Sequence, residues 1–153
     1  MADIEALSRQ VDDATAAYIL ENQRCFEDLK QVASQLAGWL VLAAAGSKEA
    51  LPDHPMLLAA RELFRESDDA LRRARPTGQA QRHHAYLLRA AKTIGLALRQ
   101  AECAQDGALD SILAPLRNGY AALEGAADSL PGFEKISYER ACCGLGHKSG
   151  PAQ

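Results

Sequence analysis

The chain has 153 residues, with 17 Lys and Arg against 20 Asp and Glu and a formal charge of −3. That length suits one domain with a core large enough to fold without a metal or disulfides. The weak, mixed acidity gives no electrostatic case for nucleic acid or an anionic membrane surface as a partner. Alanine and leucine dominate the apolar residues, aromatics are scarce, and no stretch alternates with period two. An all-α protein is expected.

The first element is predicted to be one long amphipathic helix over residues 3–45. Ile4, Leu7, Val11, Ala14, Tyr18, Asn22, Cys25, Leu29, Val32, Leu36, Trp39 and Ala43 recur at intervals of three or four. Asp3 is the expected N-cap and Gly46 the expected left-handed stop. At about 1.5 Å per residue such a helix reaches roughly 60 Å. Its longest apolar run, 36–46, is too short to span a bilayer. The acidic start Met1-Ala2-Asp3-Ile4-Glu5 lacks the basic and apolar regions of a signal peptide, so a cytoplasmic protein is expected. Cys25, Cys103, Cys142 and Cys143 should then be free thiols.

A second helix should start at an Asp53 cap with Pro55 in its first turn, and end before Pro76-Thr77-Gly78. Its predicted inner face is Met56, Ala60, Leu63, Ser67, Ala70 or Leu71, and Ala74. A third, over 78–105, carries the stripe Ala80, His84, Leu87, Ala91, Ile94, Leu98 and Ala101. A fourth follows Asp106-Gly107 with Leu109, Ile112, Leu116, Leu123 and Ala127. Pro115 predicts a kink or delayed start there, and Gly119 and Gly125 weaken it further. Leu130-Pro131-Gly132 ends it.

Short connections favour antiparallel neighbours, so residues 1–132 read as an up-and-down four-helix bundle with an unusually long first helix. Residues 133–153 read as an extension: Phe133, Ile136 and Tyr138 could fold back, and the stretch beyond Gly144 resembles a mobile tail.

The lengths do not match, because helices of about 33 Å cannot cover one of roughly 60 Å. The N-terminal third of the first helix should therefore expose its apolar stripe, which marks a contact surface. The expected function is protein–protein contact without catalysis, as an adaptor- or chaperone-like or self-associating bundle. A partner protein or a second copy would seat on Ile4, Leu7, Val11 and Tyr18 in helix-in-groove fashion. The Phe133–Tyr138 segment and a break near Asn22 are the alternatives that would cover or fold that stripe.

A second expectation, from a different class, is a metal-binding or thiol-redox protein using Cys142, Cys143 and His147. Thiolate and imidazole suit zinc or another thiophilic metal, and neighbouring Arg140 and Lys148 would favour thiolates. Only three ligands are local and two are adjacent, so no resident cofactor is expected unless Cys25, Cys103, His54, His84 or a second subunit completes the set.

Asn22, Ser67 and His84 interrupt otherwise apolar stripes, and such residues fix register between helices or line a small polar pocket. His83 and His84 should diverge by about 100° and cannot readily share one ion. His84 with Leu87, Arg89, Ala90, Ala91 and Gly95 is faintly similar to histidine phosphotransfer bundles, which carry the phosphoryl group on a solvent-facing histidine. Leu87 and Leu88 stand where that class has a basic and a small residue, so its site is not carried over. No Glu-x-x-His pair, haem-attachment motif, phosphate-binding loop or His-Glu-x-x-His is present.

Overall fold

A computed structural model describes residue 5 and residues 11–103 and 109–134. Those residues form four helices: α1 (Asp13–Ala44), α2 (Pro55–Arg73), α3 (Ala80–Glu102) and α4 (Leu109–Ser129). The expected all-α bundle with a long first helix is found, and no described helix is long and apolar enough to cross a membrane.

Helix α1 has 32 residues and spans about 48 Å. It does not run on from residue 3 as expected: Val11 lies in a bend and Asp12 is extended at φ −68, ψ 163. The Asp12 carboxylate caps the helix by accepting from the Thr15 amide at 2.7 Å, a bond that also lowers its own pKa. An N-cap thus interrupts a hydrophobic repeat that looked continuous, and Ala14, on the expected stripe, is exposed. At the other end Gly46 takes φ 72, and the Gly46 and Ser47 amides donate to Ala43 and Leu42, closing α1 where the sequence placed its stop.

The second helix is capped by His54 rather than Asp53, with Nδ1 accepting from the Met56 amide at 3.1 Å. Helix α3 starts two residues later than expected and stops at Glu102. Its whole predicted stripe is buried. Helix α4 is continuous from Leu109 through Pro115, so the expected delayed start does not occur. Pro115 lies in the second turn, and the carbonyl it cannot engage belongs to Ser111 on the exposed side.

Cross-contacts fix the directions. Met56 lies against Gly38 and the Cys25 thiol donates to the Ser67 carbonyl, so α1 and α2 are antiparallel. Phe64 meets Gly95, and Arg61 pairs with Glu102 at 2.6 Å, so α2 and α3 are antiparallel too. Helices α3 and α4 form the most extensive pair, with α1 packed on all three others and α2 and α4 held apart. This is an up-and-down bundle around Ile19, Phe26, Leu29, Leu36, Trp39, Leu87, Ile94 and Ile112.

The glycines expected to weaken α4 have a packing role. A Cβ on Gly119 would sit 2.6 Å from Cγ1 of the fully buried Ile94, and one on Gly125 would sit 2.5 Å from the half-buried Tyr86 ring. Ile94 has nowhere to go, whereas Tyr86 can swing outward. Gly119→Ala is therefore expected to destabilise the fold by about 1–2 kcal/mol despite alanine's better helix propensity. Gly125→Ala should stay within about 1 kcal/mol of the parent, both read by urea unfolding monitored by circular dichroism.

Candidate functional site

Two features stand out among the described residues, a polar cluster inside one end of the bundle and an apolar groove on the other. The cluster forms where the first turns of α1 meet those of α3. The Tyr18 hydroxyl lies 2.9 Å from Nδ1 of His83 and 3.4 Å from Nδ1 of His84. As both donor and acceptor, it can serve one ring each way. Although neighbouring side chains leave a helix in different directions, both Nδ1 atoms lie near the one Tyr18 hydroxyl. Asn22, one turn on, donates Nδ2 to the Tyr18 carbonyl.

Phe133, just past α4, closes the cluster from outside. Its ring lies 3.9 Å from His83 and packs edge-on against Phe26 at 5.2 Å. His83 is fully buried, and its Nε2 has no hydrogen-bond partner. Burial, helped by neighbouring His84, pulls the His83 pKa down to about 4, and burial alone lowers His84. Burial likewise raises the Tyr18 phenol. At neutral pH the cluster is uncharged. An interior histidine of this kind does not meet the solvent-facing requirement of phosphotransfer.

A cleft of about 370 Å³ between α1 and α2 is lined by Glu21, Arg24, Cys25, Asp28, Glu66 and Ser67, among others. Burial, then Asp28 and Asp68, push the Cys25 thiol up to about 12, so it is protonated and a poor nucleophile. The Ser67 hydroxyl is buried without a partner. Asn22, Ser67 and His84, considered together as a pocket, engage different groups: the Tyr18 carbonyl, Cys25 and the Tyr18 hydroxyl.

The apolar groove lies at the far end, between the last turns of α1 and the first turns of α4. Ala37, Leu40, Val41 and Ala44 form one wall, with Leu109, Leu113 and Leu116 opposite, around about 330 Å³. Val41 is 68% exposed and Leu113 43%.

Of the expected contact residues, Tyr18 is buried as described, and Val11 lies half-buried against the core. Ile4 and Leu7 lie outside the described residues, as do Cys142, Cys143, His147 and the rest of the tail. Of the further ligands considered, His54 caps α2, Cys25 is buried and Cys103 is exposed. Among the described residues no group of three or more His, Cys, Asp or Glu is arranged to hold a metal ion. His83 was missed by the sequence reading, although Ala80, His83, Leu87, Ala90, Ile94, Ala97 and Ala101 form a heptad-like stripe that includes it. No family model, curated protein or solved structure matches the chain.

The cluster predicts a pH dependence. The folded His83 pKa of about 4 lies below its ordinary 6.5, so the unfolded chain binds the extra proton between those values. The stability that the neutral ring contributes is complete above pH 6.5 and is lost as pH falls towards 4. Unfolding free energy is expected to drop by about 2–3 kcal/mol between pH 6.5 and 4.5, and His83→Gln should flatten that slope whatever its effect at pH 7.

Proposed function

We propose that this protein works by protein–protein contact, receiving an amphipathic helix of a partner protein on the apolar face of α1, and not by catalysis. One observation carries this: Ala37, Leu40, Val41 and Ala44, spaced i, i+3, i+4 and i+7, stand opposite Leu109, Leu113 and Leu116 with Val41 open to solvent. That spacing is the one an incoming helix meets in helix-in-groove recognition. This reading keeps the expected kind of contact but uses another surface: Ala37, Leu40, Val41 and Ala44 lie on a different side of the helix from the stripe of Ile4, Leu7, Val11 and Tyr18, and at its C-terminal end. Tyr18 is engaged within its own chain, whereas Val41 and Leu113 are exposed among the described residues.

Burying an exposed Val or Leu side chain contributes about 1.5–3 kcal/mol, so Val41 and Leu113 would supply about 3–6 kcal/mol, and the rest of the incoming helix must offset the cost of association. Among the groups with shifted pKa values, the buried ones, Tyr18, Cys25, His83 and His84, are neutral at neutral pH and turned inward, which fits a structural rather than a chemical role.

Val41→Asp and Leu113→Asp replace exposed residues, so both variants are expected to remain folded by circular dichroism. A protein captured from the native cell extract by the parent chain, then purified, should bind each variant at least tenfold more weakly by calorimetry. Equal binding to parent and variants, or no protein captured at all, would overturn the assignment.

A further inference from the structure

The outward face of α3 is charged differently from those of α1 and α2. On α1 and α2, Lys30 pairs with Glu27, Arg65 with Glu62 and Arg72 with Asp68, each across one helical turn. Helix α3 carries Arg82, Arg89, Lys92 and Arg99, all exposed, and no acid before Glu102. Glu102 itself is engaged by Arg61 at 2.6 Å. Arg89 and Lys92 are three apart, and a like-charge pair at that spacing costs helix stability. Level with Thr93, where Gly119 packs, residues 117–121 of α4 include Arg117 and no acid. Glu124 and Asp128 stand on α4 either side of Gly125, at the Tyr86 end.

These exposed residues keep helical spacing. Arg82, Ala85, Arg89, Lys92, Leu96 and Arg99 recur at intervals of three or four, a stripe about 26 Å long. Leu88 and Leu96, 42% and 41% exposed, lie four residues either side of Lys92, whose aliphatic stem joins them into one apolar line. Tyr86 positions two of the cations: the Arg82 and Arg89 guanidinium carbons lie 5.9 and 6.0 Å from its ring centroid. With Ala85 these three surround a recess of about 170 Å³. Two guanidiniums already held beside a recess suit a carboxylate, which each can bind through paired N–H donors.

We propose that this face of α3 receives an acidic amphipathic helix of a partner protein, with carboxylates opposite the four cations and apolar side chains against Leu88 and Leu96. Charge balance selects a slender partner. The four cations leave a formal −7 for the rest of a chain that totals −3. A lipid surface or a long nucleic acid meets that remaining field as well, and is repelled by it. A single helix lies within the screening length of about 8 Å and responds to the stripe alone. Like charge opposes a second copy docking through the same face. The site is separate from the groove between α1 and α4 and does not depend on it.

The test uses the full chain and a fluorescent, alanine-based helical peptide with Glu at i, i+7, i+10 and i+17 and Leu at i+3 and i+14, titrated by anisotropy. A control peptide of the same composition has its Glu residues spread evenly round the helix. The patterned peptide is expected to bind at least tenfold more tightly than the control, and less tightly as salt is raised. Arg89→Glu/Lys92→Glu replaces exposed residues, so the fold should persist by circular dichroism while affinity falls at least tenfold. Arg89→Gln/Lys92→Gln, which introduces no new charge, should also weaken binding, but by less. Val41→Asp should bind the peptide as the parent does. No binding, equal binding of the two peptides, affinity unchanged in both α3 variants, or loss of binding in Val41→Asp would overturn the inference. Tighter binding of vesicles of equal phosphatidylcholine and phosphatidylserine, or of a single-stranded oligonucleotide, would overturn it in favour of those polyanions.

Discussion

One helix longer than its companions sets the terms for the whole fold. Helix α1 spans about 48 Å, while α2, α3 and α4, with 19, 23 and 21 residues, span about 29, 35 and 32 Å. Three shorter helices cannot cover every face of it along its length, so the ends of α1 must be sheltered by other means. At the N-terminal end, Phe133 folds back onto Phe26 and His83 after α4 has ended. At the C-terminal end, the α1–α2 connection shelters the side facing α2, where the Trp39 indole donates to the Leu51 carbonyl at 3.1 Å. On the side facing α4 the described residues provide no such cover, and there Val41 stands open.

Most of the architecture was legible because period and composition agree. The α3 stripe from Ala80 to Ala101 is found buried throughout, and the stops at Gly46, Pro76 and Leu130 lie at element ends. Helix α1 was misjudged at its start because a hydrophobic repeat says nothing about backbone dihedrals. Val11 and Tyr18 keep helical spacing across a bend, while the capping signal, Asp12 three residues before Thr15, lies inside that repeat. Gly119 and Gly125 were misread for a related reason. Their poor propensity is local and visible in the sequence, but the close approach they permit to Ile94 and Tyr86 depends on a helix more than 20 residues away.

The candidate sites divide along the same line. Asn22, Ser67 and His84 were recognisable as polar interruptions in apolar stripes, since each is one exception in a regular pattern, whereas Tyr18 reads as one more member of the contact face. His83 was not, because it lies on the second of two overlapping stripes of α3, and a residue's place on a buried flank depends on how wide the covered face becomes. Here that face widens because α1 and α4 both pack on α3, and the aromatic ring that seals it comes from Phe133, outside the helices altogether. The groove was legible only as an excess of apolar length. Which end of α1 would carry the excess depends on where α4 begins, and Leu109 lies beside Ala37 to Ala44 rather than beyond them.

The polar end and the apolar end are linked through register. A helix pair held by alanine and leucine alone can slip by a turn at little cost, whereas a hydroxyl shared by two buried imidazoles has one good position. Tyr18 between His83 and His84 therefore fixes the height of α3 on α1. Ile94 against Gly119 and Tyr86 against Gly125 pass that height on to α4, since a Cβ-free patch accepts a large side chain at only one level. The result is that Leu109, Leu113 and Leu116 face Ala37 to Ala44 and form a groove. A one-turn slip of about 5.4 Å would instead bring Leu113, Leu116 and Tyr120 near the places that Leu109, Leu113 and Leu116 hold, and so give that wall a different outline. The buried cluster at one end of the bundle thereby sets the outline of the surface at the other.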